Sequence, residues 1–176
     1  MSNATTSRSV HEAAAQFLSQ RRIAVTGVSR EPQSHGGNIV YSRLRDRGYE
    51  VFAVNPNADE VEGAPCFREL AAIPGGVDAV VICTRPELAE ATIRECIDLG
   101  IQHVWMHRSF GAGSVSHAAT ELGRAHGVDV IDGGCPLMFA PADDVGHRFM
   151  RRLFTLTGNV PRRVCEPAGM STTVGS

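Results

Sequence analysis

The 176-residue chain contains no run approaching the ~20 consecutive apolar residues needed to cross a bilayer. Its first twenty residues also lack the apolar core of a secretion signal: Thr5, Thr6, Ser7, Arg8 and Ser9 lead directly into His11 and Glu12. A surplus of positive charge is missing too. The net charge is −2 and the pI about 6.4, so there is no electrostatic footprint for nucleic acid. The 17 basic residues are arginines, a uniform preference that follows genome composition rather than function. Cysteine pairs are absent. The five cysteines, Cys66, Cys83, Cys96, Cys135 and Cys165, are odd in number, widely spread and form no C-x-x-C. That speaks against a disulfide framework or structural zinc and fits the reduced thiols of a cytoplasmic protein. No G-K-[ST] occurs, which excludes a Walker loop.

What is present is the pattern of one soluble domain. Hydrophobic residues make up 43% and charged residues 20%, and the length supports a real core. Residues 1–8 are polar and expected to be disordered, with residues 9–160 forming the domain and residues 161–176 a flexible tail. Ser9 to Gln20 places Val10, Ala13, Ala14, Phe17 and Leu18 at helical spacing, with Ser9 as N-cap and Glu12 three residues on. Strands are expected at Arg22–Val28, Tyr49–Val54, Val77–Cys83, His103–Met106 and Val128–Ile131. The near-continuous apolarity of the first, at Ile23, Ala24, Val25 and Val28, fits a strand covered on both faces. Helices are expected at Gly37–Arg47, Cys66–Ile73 (short), Glu87–Leu99, from Ser114 or Ser116 to His126, and at Asp143–Thr157. Strands alternating with helices predict an α/β fold with a mainly parallel five-stranded sheet and helices on both faces.

In such sheets ligands lie beyond the carboxyl ends of the strands. The loop from Gly27 to Gly37 joins the first strand to a helix, where backbone N–H groups and a helix N-terminus face a phosphate. The loop lacks the full G-x-G-x-x-G spacing, and the second strand ends in Asn55-Pro56 rather than an acid. Both departures weaken a reading as an NAD site.

Several motifs in order carry a family resemblance: Val25-Thr26-Gly27-Val28-Ser29 with Pro32, Gly48-Tyr49-Glu50-Val51 leading to Val54-Asn55-Pro56, Val77-Asp78-Ala79-Val80, Trp105, and the Asp132–Pro136 turn. The chain resembles the small CoA-binding proteins, single Rossmann-like domains related to the CoA-binding domain of succinyl-CoA synthetase, over residues 10–157. The resemblance implies a Rossmann-like three-layer sandwich with coenzyme A, free or acylated, over the strand ends. Gly27, Val28 and Ser29 would hold the pyrophosphate. Asn55, Pro56 and Asn57 would line the nucleotide side, and Thr84, Arg85 and Pro86 the pocket wall. Arg30 adds a guanidinium fork suited to a phosphate. Two departures matter. The ligase relatives carry a second domain with a phosphorylated histidine, for which this chain has no room. Many small members have Asp-Arg-Cys where this chain has Asp132-Gly133-Gly134-Cys135-Pro136.

Cys135 is a catalytic candidate, with His107 as its base; the alternative is a buried thiol beside a glycine turn. His103, His107 and His147 with Cys135 and Asp132 match no metal-ligand spacing. Trp105 either stacks on an adenine or belongs to the core. The leading expectation is a non-catalytic or regulatory CoA- or acyl-CoA-binding module. The alternatives are an NAD(P) oxidoreductase or a Cys135-dependent thiol or acyl transferase. A homo-oligomer or a protein partner stays open.

Overall fold

A computed structural model describes residues 7–31, 36–108, 111 and 113–167. In chain order the elements are β1 (Ser7–Ser9), α1 (Val10–Leu18), β2 (Arg22–Thr26), α2 (Gly36–Asp46), β3 (Glu50–Val54), β4 (Glu60–Val61), β5 (Ala64–Phe67), β6 (Ala79–Ile82), α3 (Pro86–Asp98), β7 (His103–Met106), α4 (His117–Ala125), β8 (Asp129–Asp132), α5 (Val145–Leu156) and β9 (Arg163–Cys165). The main sheet has the order β4-β5-β3-β2-β6-β7-β8, and every pair is parallel except β4 with β5. β2 lies near the centre, with β3 on one side and β6 on the other, so the order reverses beside it. That places a crevice at its carboxyl end.

Alternation along the strands divides the core in two. Ile23, Val25, Ala79 and Val81 face a layer containing Phe17 of α1, Val40, Tyr41 and Leu44 of α2, and Phe154 of α5. Ala24, Val80 and Ile82 face Ala89, Ile93 and Cys96 of α3 and Ala119 of α4. Helices therefore cover both faces in the expected three-layer arrangement. Ser9 and Glu12 form the expected capping box at the start of α1, and Ser116 and Asp144 cap α4 and α5.

Two segments differ from expectation. Cys66–Ile73 is not a helix. Its first part belongs to β5, held because the N–H of Asn55 donates to the carbonyl of Phe67 and that of Cys66 to the carbonyl of Asp59, both at 2.9 Å. Only Leu70–Ala72 turns, as a 3-10 helix. With β4 this raises the sheet from five strands to seven. The polar ends also meet: β1 pairs antiparallel with β9, Arg8 opposite Val164. Val164 is fully buried, and Arg8 is hydrogen-bonded to Gln16 and ion-paired with the buried Asp129. Burying a valine of this kind is worth about 1.5–3 kcal/mol, and together with the ladder bonds and the Arg8–Asp129 pair it anchors the ribbon to the core. Residues 1–6 and 168–176, the rest of the expected loose ends, lie outside the described residues.

Candidate ligand site at the carboxyl edge of the sheet

Gly27 follows β2 with φ +74, and a Cβ there would sit 2.8 Å from the carbonyl oxygen of Cys83 and 3.0 Å from the nitrogen of Thr84. Only glycine meets both demands. A Cβ on Gly37 would in turn lie 2.9 Å from the carbonyl oxygen of Gly27 and 3.1 Å from Cβ of Cys83. The end of β2, the first turn of α2 and the end of β6 thus stack backbone on backbone. The glycines are needed first for this convergence of three chain segments.

The loop after Gly27 is stapled by amides from two directions. Asn38, in the first turn of α2 and only 2% exposed, accepts from the N–H of Ser29 and donates to its carbonyl, both at 2.8 Å. The same amide nitrogen donates to Glu62 at 3.0 Å. Asn55 donates to the carbonyl of Val28 at 2.8 Å and accepts from the N–H of Asn57 at 2.9 Å. The hydroxyl of Ser29 accepts from the N–H of Glu31 at 3.1 Å. Asn38 carries more of this scaffold than any residue singled out from the sequence. The signal for it was there, an amide-bearing residue in a helix's first turn after two glycines, where side chains satisfy neighbouring backbone groups.

The ten expected ligand residues separate into kinds. Gly27, Ser29, Thr84 and Pro86 surround the converging loops, half-buried, while Arg30, Pro56, Asn57 and Arg85 are exposed around them. Val28 is fully buried and packs in the core, so only its backbone faces the loop. Asn55 is committed to holding the loop. Arg30 and Arg85 form no ion pair among the described residues, and Arg85 lines the crevice. Arg85 is also the N-cap of α3, with no side-chain cap bond, and Pro86 follows at the first helical position. The Oγ of Thr84 is buried and has no hydrogen-bond partner. An uncapped thirteen-residue helix start beside an unsatisfied hydroxyl and a free guanidinium group is a fitting seat for an anion. Pro32, part of the resemblance, lies outside the described residues.

A cavity of about 230 Å³ opens here, lined by Gly36, Gly37, Thr84, Arg85, His107 and Ser114 among others. His107 approaches Gly36 so closely that a Cβ there would lie 3.2 Å from its Cε1. Burial, with the nearby His147, pushes the His107 pKa down to about 4, so its ring is neutral at physiological pH. It does not pair with Cys135. That thiol is buried, its pKa pushed up to about 12 chiefly by desolvation, and no hydrogen bond joins the two. Cys135 packs in the core. Trp105 is likewise wholly buried, donating from Nε1 to the carbonyl of Gly133 at 2.9 Å, so it offers no face to an adenine. Among the described residues no group of three His, Cys, Asp or Glu side chains is placed to hold a metal ion. No helix there is long and apolar enough to cross a membrane.

A mainly parallel sheet covered by helices on both faces, with glycine-dependent loops at its carboxyl edge, defines the fold as Rossmann-like. Residues 21–141 match the family described as CoA binding domain, and the chain belongs to that family. It is 31% identical over 88 residues to the alpha subunit of the ADP-forming acetate–CoA ligase II of Pyrococcus furiosus, a match covering 50% of this chain and 19% of that subunit. The match to the ADP-forming acetate–CoA ligase II of Archaeoglobus fulgidus is 32% over 84 residues, covering 47% of this chain and 12% of that one. The chain thus corresponds to a small part of these ligases. It is also 30% identical over 111 residues to the uncharacterised protein YneT of Bacillus subtilis, covering 63% of this chain and 78% of that one. Among solved structures, a hypothetical protein from Pyrococcus horikoshii superposes with a TM-score of 0.66 at 26% identity, over 72% of this chain and 87% of that one.

Proposed function

We propose that the chain binds coenzyme A or an acyl-CoA across the carboxyl edge of its sheet, as a cytoplasmic binding or regulatory module without catalysis of its own. The observation that carries this reading is the stacking of Gly27, Gly37 and the Cys83–Thr84 backbone, within a region that belongs to a CoA-binding family. It brings the start of α2 and the start of α3 to one crevice. The N–H of Val28 and the free hydroxyl of Thr84 would meet the pyrophosphate, since the N–H groups of Gly27 and Ser29 already donate to Val54 and Asn38, and Arg30 and Arg85 would neutralise the phosphate charge. Asn57 and Pro56 would border the nucleotide, and Asn55 would fix the loop from behind.

The absence of catalysis is supported by the state of the two candidate groups. A thiol titrating at about 12 is not a nucleophile at neutral pH, and a histidine titrating at about 4 is a poor general base there. An NAD reading lacks the acid that would clamp a ribose, because β3 leads into Asn55. A thermal-denaturation series with CoA, acetyl-CoA, dephospho-CoA, NAD, NADP and ATP tests the proposal. At a hundredfold excess over Kd, a ligand adds about 2.7 kcal/mol, or roughly 5–10 °C for a domain of this size. A shift with CoA or acetyl-CoA is expected. A shift with NADP and none with either CoA form would overturn the reading.

A further inference from the structure

A second cavity of about 450 Å³ lies between the start of α1, the second half of α5 and the segment before β9, and it shares no residue with the crevice described above. Its apolar wall includes Val10, Val160 and Leu156, the last 77% exposed. Arg151, Arg152 and Arg162 also line it, and no acidic residue does so among the described residues. In a chain of net charge −2 this is a local reversal of sign. Elsewhere Arg8, Arg22, Arg47, Arg68, Arg94, Arg124 and Arg148 all pair with carboxylates. Arg152 and Arg162, like several other exposed arginines such as Arg30 and Arg85, have no such partner among the described residues.

The walls are held independently of any occupant. The N–H of Val10 donates to the carbonyl of Arg162 at 3.2 Å, and that of Val160 to the carbonyl of Phe154 at 3.2 Å. Arg151 is fixed by donation to the carbonyl of Met138 at 2.9 Å and by stacking 5.3 Å over the ring of Phe139. A preformed apolar cavity of this size, with a few convergent polar groups, is the form small-molecule sites take. Guanidinium forks set the charge and shape of the head they accept, a carboxylate or a phosphate.

The geometry points to a second ligand site here, for an alkyl chain carrying an anionic head, the chain against Val10, Val160 and Leu156 and the head between Arg152 and Arg162. It stands apart from CoA binding and does not require it.

Calorimetric titration of the full chain with sodium octanoate and with octyl phosphate, each below its aggregation concentration, tests this. Octan-1-ol and acetate serve as controls for tail without charge and charge without tail. One anionic amphiphile binds once per chain, and both controls bind at least ~10-fold more weakly, the scale of one lost charge-assisted contact. Tighter octanoate binding identifies a fatty carboxylate as the natural class, and tighter octyl phosphate a phosphorylated lipid. The double variant Arg152→Gln, Arg162→Gln keeps the ligand-free melting temperature, because neither side chain has a folded-state partner, and weakens binding by at least ~10-fold. Saturating CoA does not displace the amphiphile. No binding of either amphiphile, indifference to the double variant, or displacement by CoA would each overturn the proposal.

Discussion

Replacing Asn38 by Ala removes three hydrogen bonds at once: two with the backbone of Ser29 and one with Glu62. Each is worth about 1 kcal/mol net. The exposed Glu62 loses little, because water replaces its partner. Ser29 is half-buried, so its N–H and carbonyl are only partly rescued by water. Alanine recovers about 0.5 kcal/mol of helix propensity at this position. The balance is a loss of about 2 kcal/mol, or roughly 4–8 °C in melting temperature for a domain of this length. The assay is a calorimetric melt, paired with a CoA titration, because the same staple holds the loop against which the phosphates rest. Asn38→Asp sharpens the test. It keeps an acceptor for the N–H of Ser29 but sets a carboxylate against that residue's carbonyl and against Glu62. The like charge raises the folded-state pKa of the new Asp, so the variant gains stability relative to wild type as pH falls from 7 towards 4. An Asn38→Ala melt within about 1 °C of wild type, with a flat pH response from Asn38→Asp, would show that Asn38 does not hold the loop.

Gly27→Ala combines a φ of +74 with contacts to Cys83 and Thr84 backbone atoms at 2.8 to 3.0 Å. The left-handed conformation alone costs about 1–2 kcal/mol, so a loss above 2 kcal/mol in chemical denaturation is expected, whereas a neutral outcome would remove the basis for the stacked loops. His107 is buried neutral, its folded pKa of about 4 lying below its ordinary 6.5. Its contribution to stability is therefore present above pH 6.5 and is lost as pH falls towards 4. His107→Gln should flatten that part of the stability profile, and an unchanged slope would place the ring in water. Cys135, titrating near 12 and buried, should resist alkylation in the native protein at pH 8 while all five thiols react in denaturant. Rapid labelling of Cys135 in the native state would restore it as a reactive candidate.

The central strands were legible in the sequence because each carries its own signal: Ile23–Val25 and Val80–Ile82 are apolar without interruption, as strands buried on both faces must be. β4, β5 and the β1–β9 ribbon were not. Pro65-Cys66-Phe67 and Ser7-Arg8-Ser9 have no decisive local pattern; β3, Asp129 and Val164 make them strands. Tertiary partners override propensity most easily in such short edges. At the site, the loop after β2 could be read from its glycines, but not the reason for them, since the atoms that exclude a Cβ at Gly27 belong to the end of β6. Val28, expected beside the pyrophosphate, turns its side chain into the core, and the Asn55 amide, expected to line the nucleotide side, bonds the loop itself. Side-chain direction at a turn depends on backbone angles that residue types alone leave undetermined.

Backbone amide NMR during a CoA titration locates the ligand on the proposed Gly27 loop. Saturable shifts are predicted at Gly27, Val28, Ser29, Gly37 and Thr84, with the amides of Arg152 and Arg162 unmoved. Shifts confined to the α5 side of the molecule, or no shifts with CoA while NADP moves the Gly27 loop, would contradict that placement.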